Sequence, residues 1–418
     1  MHGPELLRAM FDAAVNAAHP AHCVPPFLPA RPKGRTLVIG AGKAAAAMAR
    51  AVEDHWQGPL QGLVITRYGH GVPCRHIEVV EAGHPLPDAA GQAGAQRMLA
   101  LLKNLSADDL VLCLISGGGS ALLSLSAEVV PLSDKRSTTR ALLTSGATIA
   151  EINCVRKHLS RIKGGQLAMA AAPASVVSLI ISDVPGDDLS VIASGPTVAD
   201  PSTRHDALAV LNKYKIDTPT SVLTWLNDAR CETPKPGDAK LASVQNILIA
   251  TPQAALLAAA QVASNAGVTP LILGNAIEGE ARECAIMHAG IARQCLQHNQ
   301  PVAPPCVVIS GGETTVTVRG TGRGGRNTEF LLSLAVALQG QTNTWALAGD
   351  TDGIDGTESN AGALIGPELL HEAVARGLNA AEYLANNDAF SFFARLNALL
   401  TTGPTRTNVN DFRVFQKP

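Results

Sequence analysis

The stretch VIGAGKAAAAMA, Val38 to Ala49, decides how the first half of the chain is read. Leu37-Val38-Ile39 is an apolar, largely β-branched run that follows the polar Lys33-Gly34-Arg35. After it come Gly40-Ala41-Gly42 and an alanine-rich segment of high helix propensity. The pattern predicts strand, tight glycine turn, helix. Such a turn gathers backbone N–H groups and the positive end of a helix dipole in one place, which suits an anion. Gly40-x-Gly42-x-x-Ala45 also meets a relaxed dinucleotide fingerprint.

The same alternation runs through the chain. Short apolar runs at 36–39, 63–66, 77–81, 110–115 and 176–181, then 247–250, 270–273, 307–310, 314–318 and 345–348, predict strands. Helix-length segments such as 89–105 and 254–266 lie between most of them. Continuous apolar strands alternating with helices predict parallel α/β sheets covered on both faces. The 307–319 segment reads strand, glycine turn, strand, so the second sheet is expected to be mixed. A length of 418 residues suggests two domains. The polar, proline-containing stretch NDARCETPKPGDAK, 227–240, is the expected linker, giving domains 1–235 and 236–418.

Composition narrows the function. Hydrophobic residues make up 46% and charged ones 16%, enough for buried cores. A net charge of −2 argues against general affinity for nucleic acid or anionic membranes. Eight cysteines are scattered with no C-x-x-C pair, the usage of a reducing cytoplasm rather than a disulfide framework. The first twenty residues carry Glu5 and Asp12 in an amphipathic pattern and read as a helix, not a signal peptide. No apolar run approaches the ~20 residues of a membrane span.

Several loops carry chemistry. Lys43 follows Gly40 and Gly42 in the first turn of the expected helix, where a cation opposes the dipole unless it meets an anion. The plainer reading leaves it in solvent. Ser116-Gly117-Gly118-Gly119-Ser120 follows the 110–115 strand, and its glycines let backbone donors converge on an oxyanion or phosphate; otherwise it is a turn capped by Ser120. Asp183, Asp187 and Asp188 follow the 176–181 strand and suit Mg²⁺ held through phosphate oxygens. Arg156 and Lys157 belong to a basic helix that borders an acidic substrate or simply faces solvent. In the second half, Ser310-Gly311-Gly312-Glu313, the loop Arg323-Gly324-Gly325-Arg326-Asn327 and the D-x-D-x-x-D of Asp350, Asp352 and Asp355 come close together in sequence. Two guanidinium groups in a glycine loop suit a phosphate. His70, Cys74 and His76 have loosely zinc-like spacing but no fourth partner.

Taken together, GAGKAA, SGGGSALL, NxxRKHLSxIKGG, SDVPGDD with IASGPT, SGGET, GRGGRNTE, GDTDGIDG and TGPTRTNVND resemble the glycerate 2-kinases of the MOFRL family, in order and over nearly the whole chain. The resemblance implies two α/β domains, the first Rossmann-like with a mostly parallel sheet, and an active site in the cleft between them. It implies transfer of a phosphoryl group from ATP, with Mg²⁺, to the 2-hydroxyl of D-glycerate. The family's catalytic lysine and arginine fall on Lys43 and Arg326. Asp183, Asp187, Asp188, Asp350 and Asp352 are then candidates for metal binding or for taking the hydroxyl proton, with Glu313 a further one. The partners expected are these small molecules, with a homodimer left open.

Two other classes compete. An NAD(P)H-dependent hydroxypyruvate reductase gains from the glycine fingerprint, and some members of the family carry that name. It loses from Arg67-Tyr68-Gly69-His70, where the ribose-binding acid should stand after the second strand. A non-catalytic sugar-phosphate sensor suits the glycine loops but not so many carboxylates without a metal.

Overall fold

In the computed structural model, which describes residues 3–339 and 343–418, the chain divides into two compact units. One comprises Cys23–Ser182 and Asp187–Ile249. The other comprises the described residues of Met1–His22, the tetrapeptide Asp183–Gly186, and Ala250–Pro418.

The first unit is built on β1 (Thr36–Ala41), β2 (Gln61–Arg67), β3 (Ile77–Ala82), β4 (Leu110–Ile115), β5 (Ser175–Ile181) and β6 (Val244–Ala250). They lie in the order β3-β2-β1-β4-β5-β6. The pairings β3–β2, β2–β1, β1–β4 and β4–β5 are all parallel. Every residue of β1 and β4 is buried, which is why these strands are uninterrupted apolar runs rather than alternating ones. This is the strand order of dinucleotide-binding sheets, and it puts the reversal of crossover direction between β1 and β4. Ligands in such sheets sit beyond the carboxyl ends of those two strands. A satellite core under helices Leu132–Thr144, Ile149–His158, Arg204–Lys213 and Thr220–Asn227 completes the unit.

The expected linker lies inside this unit. Cys231 is buried in the satellite core, and the Thr233 hydroxyl donates to Asp200 at 3.1 Å. Residues 227–240 are polar because they fold over a small helical layer, and β6, which follows them, joins the first sheet beside β5. The division therefore falls at 249/250 rather than at 235/236.

The second unit contains β7 (Thr269–Gly274), β8 (Gly279–Glu280), β9 (Cys306–Gly312), β10 (Thr314–Thr315), β11 (Trp345–Asp350), β12 (Gly362–Ile365), β13 (Leu399–Leu400) and β14 (Asp411–Lys417). Its main sheet runs β13-β12-β11-β14-β9-β7 and is mixed: β7 pairs with β9 in parallel and the other pairs are antiparallel. Of the two strands expected within 307–319, only the first joins this sheet. β10 is only two residues long and pairs with β8, while β14 lies between β9 and β11. β14 carries buried Arg413, Gln416 and Lys417, so a hydrophobicity reading passes over it. Among the described residues, no helix is long and apolar enough to cross a membrane.

The helix Pro4–Ala17 also belongs to this second unit. It buries Leu6, Leu7, Met10, Phe11 and Ala14, and packs on helix Pro252–Asn265. Phe11 meets Phe412 of β14 edge-on, with ring centroids 5.9 Å apart. Phe11→Ala is expected to cost about 3–5 kcal/mol in denaturant unfolding, the usual range for a buried ring. A loss below about 1 kcal/mol would show that the N-terminal helix is not part of this core.

Candidate active site

At the carboxyl ends of β1 and β4 the two strands nearly touch. A Cβ on Gly40 would lie 2.0 Å from the Leu114 carbonyl oxygen, and one on Gly42 would lie 2.1 Å from the Ser116 hydroxyl. Gly42 also holds φ at 142°, open to glycine and strained for other residues. The turn that results is closed on itself. The Lys43 N–H donates to the Gly117 carbonyl at 2.8 Å, the Ala44 N–H to the Ser116 hydroxyl at 3.0 Å, and the Ala45 N–H to the Gly42 carbonyl at 3.1 Å. The Ser116 hydroxyl, just past β4, thus holds the residue that precedes helix Ala45–His55. Ser116 is fully buried in that role. The amides of Lys43, Ala44 and Ala45 are therefore already used within the turn. Lys43 remains half-buried at the rim, its stem next to Gly118.

Ser120, at the start of the short helix Gly119–Leu122, is the second focus. Its hydroxyl accepts from the Arg156 guanidinium at 2.6 Å and from the Lys163 ammonium at 3.2 Å, and lies 2.7 Å from the Ser194 hydroxyl. Lys163 also donates to the Ser120 carbonyl at 2.7 Å. Burial, with Arg156 and Lys135 nearby, pulls the Lys163 ammonium well below its usual range. Burial, then Arg156, brings Lys135 down to about 7. Lys157 is different: it is buried and its ammonium sits 3.4 Å from Asp200, which also accepts from Thr233. It therefore fastens a loop and is not presented to a substrate, a correction to its expected binding role. A helix displays adjacent residues on different faces, so Arg156 and Lys157 part company.

In the second unit the geometry gathers on Arg326, the first residue of helix Arg326–Leu338. Its guanidinium donates to Asp411 at 2.8 Å, Glu313 at 2.9 Å and Asp350 at 3.0 Å. Burial alone would lower it, but Asp411, Asp350 and Glu313 outweigh burial and hold it firmly charged. Asp411 accepts in addition from Asn327 at 2.8 Å and from Arg413. Asp355 caps the same helix, accepting from the Asn327 and Thr328 amides at 2.9 Å each. An internal carboxylate thus occupies the N-terminus of this helix. Gly325 permits this: a Cβ there would lie 2.3 Å from an Asp355 oxygen. Gly324 adjoins it at φ 152°.

Other expected residues are placed as follows. Ser310, Gly311 and Gly312 lie within β9, paired with Arg413, Phe412 and Asp411, rather than in a free turn. The Ser310 hydroxyl meets His288 at 2.9 Å. Arg323 pairs with Glu358 and stacks on Phe390, its guanidinium 4.7 Å from the ring centroid, so it supports the loop. Asp183 accepts from Asn408 at 3.0 Å. Asp188 is exposed and accepts from the Ser190 amide, and Asp187 has one buried oxygen with no hydrogen-bond partner. Asp350 accepts from the Asp352 amide, and Asp352 from the Ile354 amide. Among the described residues no three His, Cys, Asp or Glu side chains cluster as a metal cage, the His70, Cys74 and His76 group included. Sequence reasoning missed Asp411 as a site residue and the cations of helix Leu132–Thr144. Asp411 ends the TNVND motif, and Lys135, Arg136 and Arg140 stand in one short run.

Comparison with known proteins agrees with this architecture. A family model described as a domain of unknown function, DUF4147, matches residues 6–227, and the MOFRL family matches residues 306–411. A D-glycerate 2-kinase of Thermotoga maritima is 40% identical, over 98% of both chains. A relative from Agrobacterium vitis, named provisionally as a hydroxypyruvate reductase, is 53% identical over 98% of this chain and 94% of its own. The crystal structure of a glycerate kinase from Thermotoga maritima superposes with a TM-score of 0.91 at 40% identity, covering 99% of each chain.

The buried lysines give a pH signature. Lys135 falls from 10.5 to about 7 on folding. Between those values the unfolded chain keeps a proton that the folded one has released, so stability rises with pH through that window. Lys135→Met is expected to raise the thermal midpoint most below about pH 7, with the gain shrinking towards about pH 10. An equal gain at both ends, read by calorimetry, would show that Lys135 is not so perturbed.

Proposed function

This chain belongs to the glycerate kinase family built from the DUF4147 and MOFRL domains, and we propose that it transfers the terminal phosphoryl group of ATP to the 2-hydroxyl of D-glycerate, yielding 2-phosphoglycerate and ADP. The observation that carries this over hydride transfer is the closed glycine turn. Its first three amides are consumed by Gly117, Ser116 and Gly42, so the backbone of this turn is not offered to a dinucleotide pyrophosphate. The strand order alone would suit a dinucleotide; the sealed turn and the absence of an acid after β2 do not.

Phosphoryl transfer asks a protein for position and charge rather than covalent chemistry. The acceptor oxygen attacks the terminal phosphorus, the bond to the bridging oxygen breaks, and ADP leaves. Lys43 and Arg326 serve the charge on the moving group or on the glycerate carboxylate. The glycines 40, 42, 117, 118 and 119 shape the approach to Lys43, and Ser120 with Arg156 supplies neutral and cationic donors beside it. In the second unit Gly311, Gly312, Gly324, Gly325, Asn327 and Glu313 hold Arg326 in place.

Mg²⁺ fits the donor set in one mode. With no three-ligand cage among the described residues, it would be held through nucleotide phosphates and one or two carboxylates, as Mg²⁺ commonly is. Asp183, Asp187, Asp188, Asp350 and Asp352 are the oxygen donors for it or for the hydroxyl proton. Bound there, the ion would neutralise phosphate charge. A cytoplasmic setting suits eight unpaired thiols.

Steady-state ADP release with D-glycerate, ATP and Mg²⁺ tests the assignment. Lys43→Ala and Arg326→Lys are each expected to lower kcat by roughly 10²–10⁴-fold, with thermal midpoints near the parent's. Near-parent turnover in both would overturn it. So would NAD(P)H oxidation with hydroxypyruvate by the parent enzyme.

A further inference from the structure

A cavity of about 230 Å³ opens beside Ser120 in the first unit. Five basic side chains line it: Lys135, Arg136 and Arg140 from helix Leu132–Thr144, Arg156 from helix Ile149–His158, and Lys163. No carboxylate is among the lining residues. Arg136 and Arg140 are four residues apart on one helix face, a like-charge pair that destabilises a helix unless something offsets it. Arg156 and Lys135 both depress Lys163, so these groups feel each other's charge. A folded protein that keeps such a set together without counter-charge is arranged to receive an anion.

Part of the lining is apolar. Leu86 is 60% exposed and Leu143 63% exposed, with Pro85 and Pro87 beside them. Large exposed leucines on a cavity rim mark a ligand with an apolar face. A single carboxylate would need neither five basic groups nor these leucines, and the volume has room for several water-sized groups. The pocket also adjoins the glycine turn: a Cβ on Gly118 would lie 3.4 Å from the Lys43 side chain, two residues before Ser120.

We propose that this cavity is the nucleotide pocket: its basic side chains hold the polyphosphate tail and the exposed Leu86 and Leu143 carry the base. The tail then runs past Ser120 towards Lys43. The assignment rests on the kinase reading and commits ATP, not glycerate, to this place.

Calorimetry on the full chain with ADP, inorganic tripolyphosphate and D-glycerate tests it, beside steady-state kinetics. Arg136→Ala/Arg140→Ala, both at exposed positions, is expected to weaken ADP and tripolyphosphate at least about tenfold and to raise the KM for ATP equally, with the KM for D-glycerate changed less than about twofold. Leu143→Ser should weaken ADP about fivefold and leave tripolyphosphate unchanged. Unchanged ADP affinity in both variants would overturn the placement, and so would a selective rise in the KM for D-glycerate. If the parent protein bound no adenine nucleotide at all, the kinase reading itself would fall with it.

Discussion

Two strands that end too close together for side chains set the terms for the first unit. Gly40 lies against the Leu114 backbone and Gly42 against Ser116, so no residue with a Cβ fits at either position without displacing β4. That contact lets the hydroxyl just past one strand hold the residue that precedes the helix following the other. The backbone donors of the turn are thereby used internally, with half-buried Lys43 beside them. A glycine pattern shared with dinucleotide-binding proteins is thereby turned to a different use. The same short segment that seals the turn continues into Ser120, where Arg156 and Lys163 converge.

The second unit solves the opposite electrostatic problem. There a guanidinium is surrounded by Asp411, Asp350 and Glu313, and a neighbouring carboxylate, Asp355, occupies the helix N-terminus. β14 makes this arrangement possible. It brings Asp411 opposite both Gly312 and Asp350, so three segments far apart in sequence deliver their oxygens to one cation. Removing one partner of such a buried set strands the others, which is why a charge-retaining replacement of Arg326 is the informative one.

Most of the first sheet was legible because its strands are continuous apolar runs between helix-like segments, and Gly40, Gly42 and Lys43 announced the turn. The mixed character of the second sheet was also legible, but its cause was not. Asp411–Lys417 carries buried Arg413, Gln416 and Lys417, whose burial depends on partners distant in sequence, such as Thr344 for Lys417 and Thr314 for Arg413. The polar run 227–240 looked like a linker because a thin helical layer needs few apolar residues to cover it. Lys157 looked equivalent to Arg156 in sequence; only helix geometry, with Asp200 waiting on the other side, separates them. The basic residues 135, 136 and 140 carried no motif in the sequence; the fold brings them to the lining of one cavity.

Phosphorus NMR of the reaction mixture tests the chemistry most directly, because the coupling pattern reports the carbon that carries the phosphate. With D-glycerate, ATP and Mg²⁺, a new phosphomonoester split into a doublet by the single hydrogen at C2 is the predicted result. A triplet, the mark of a phosphate on the CH₂ carbon, would contradict the assigned hydroxyl. A spectrum in which ATP persists unchanged would contradict phosphoryl transfer altogether.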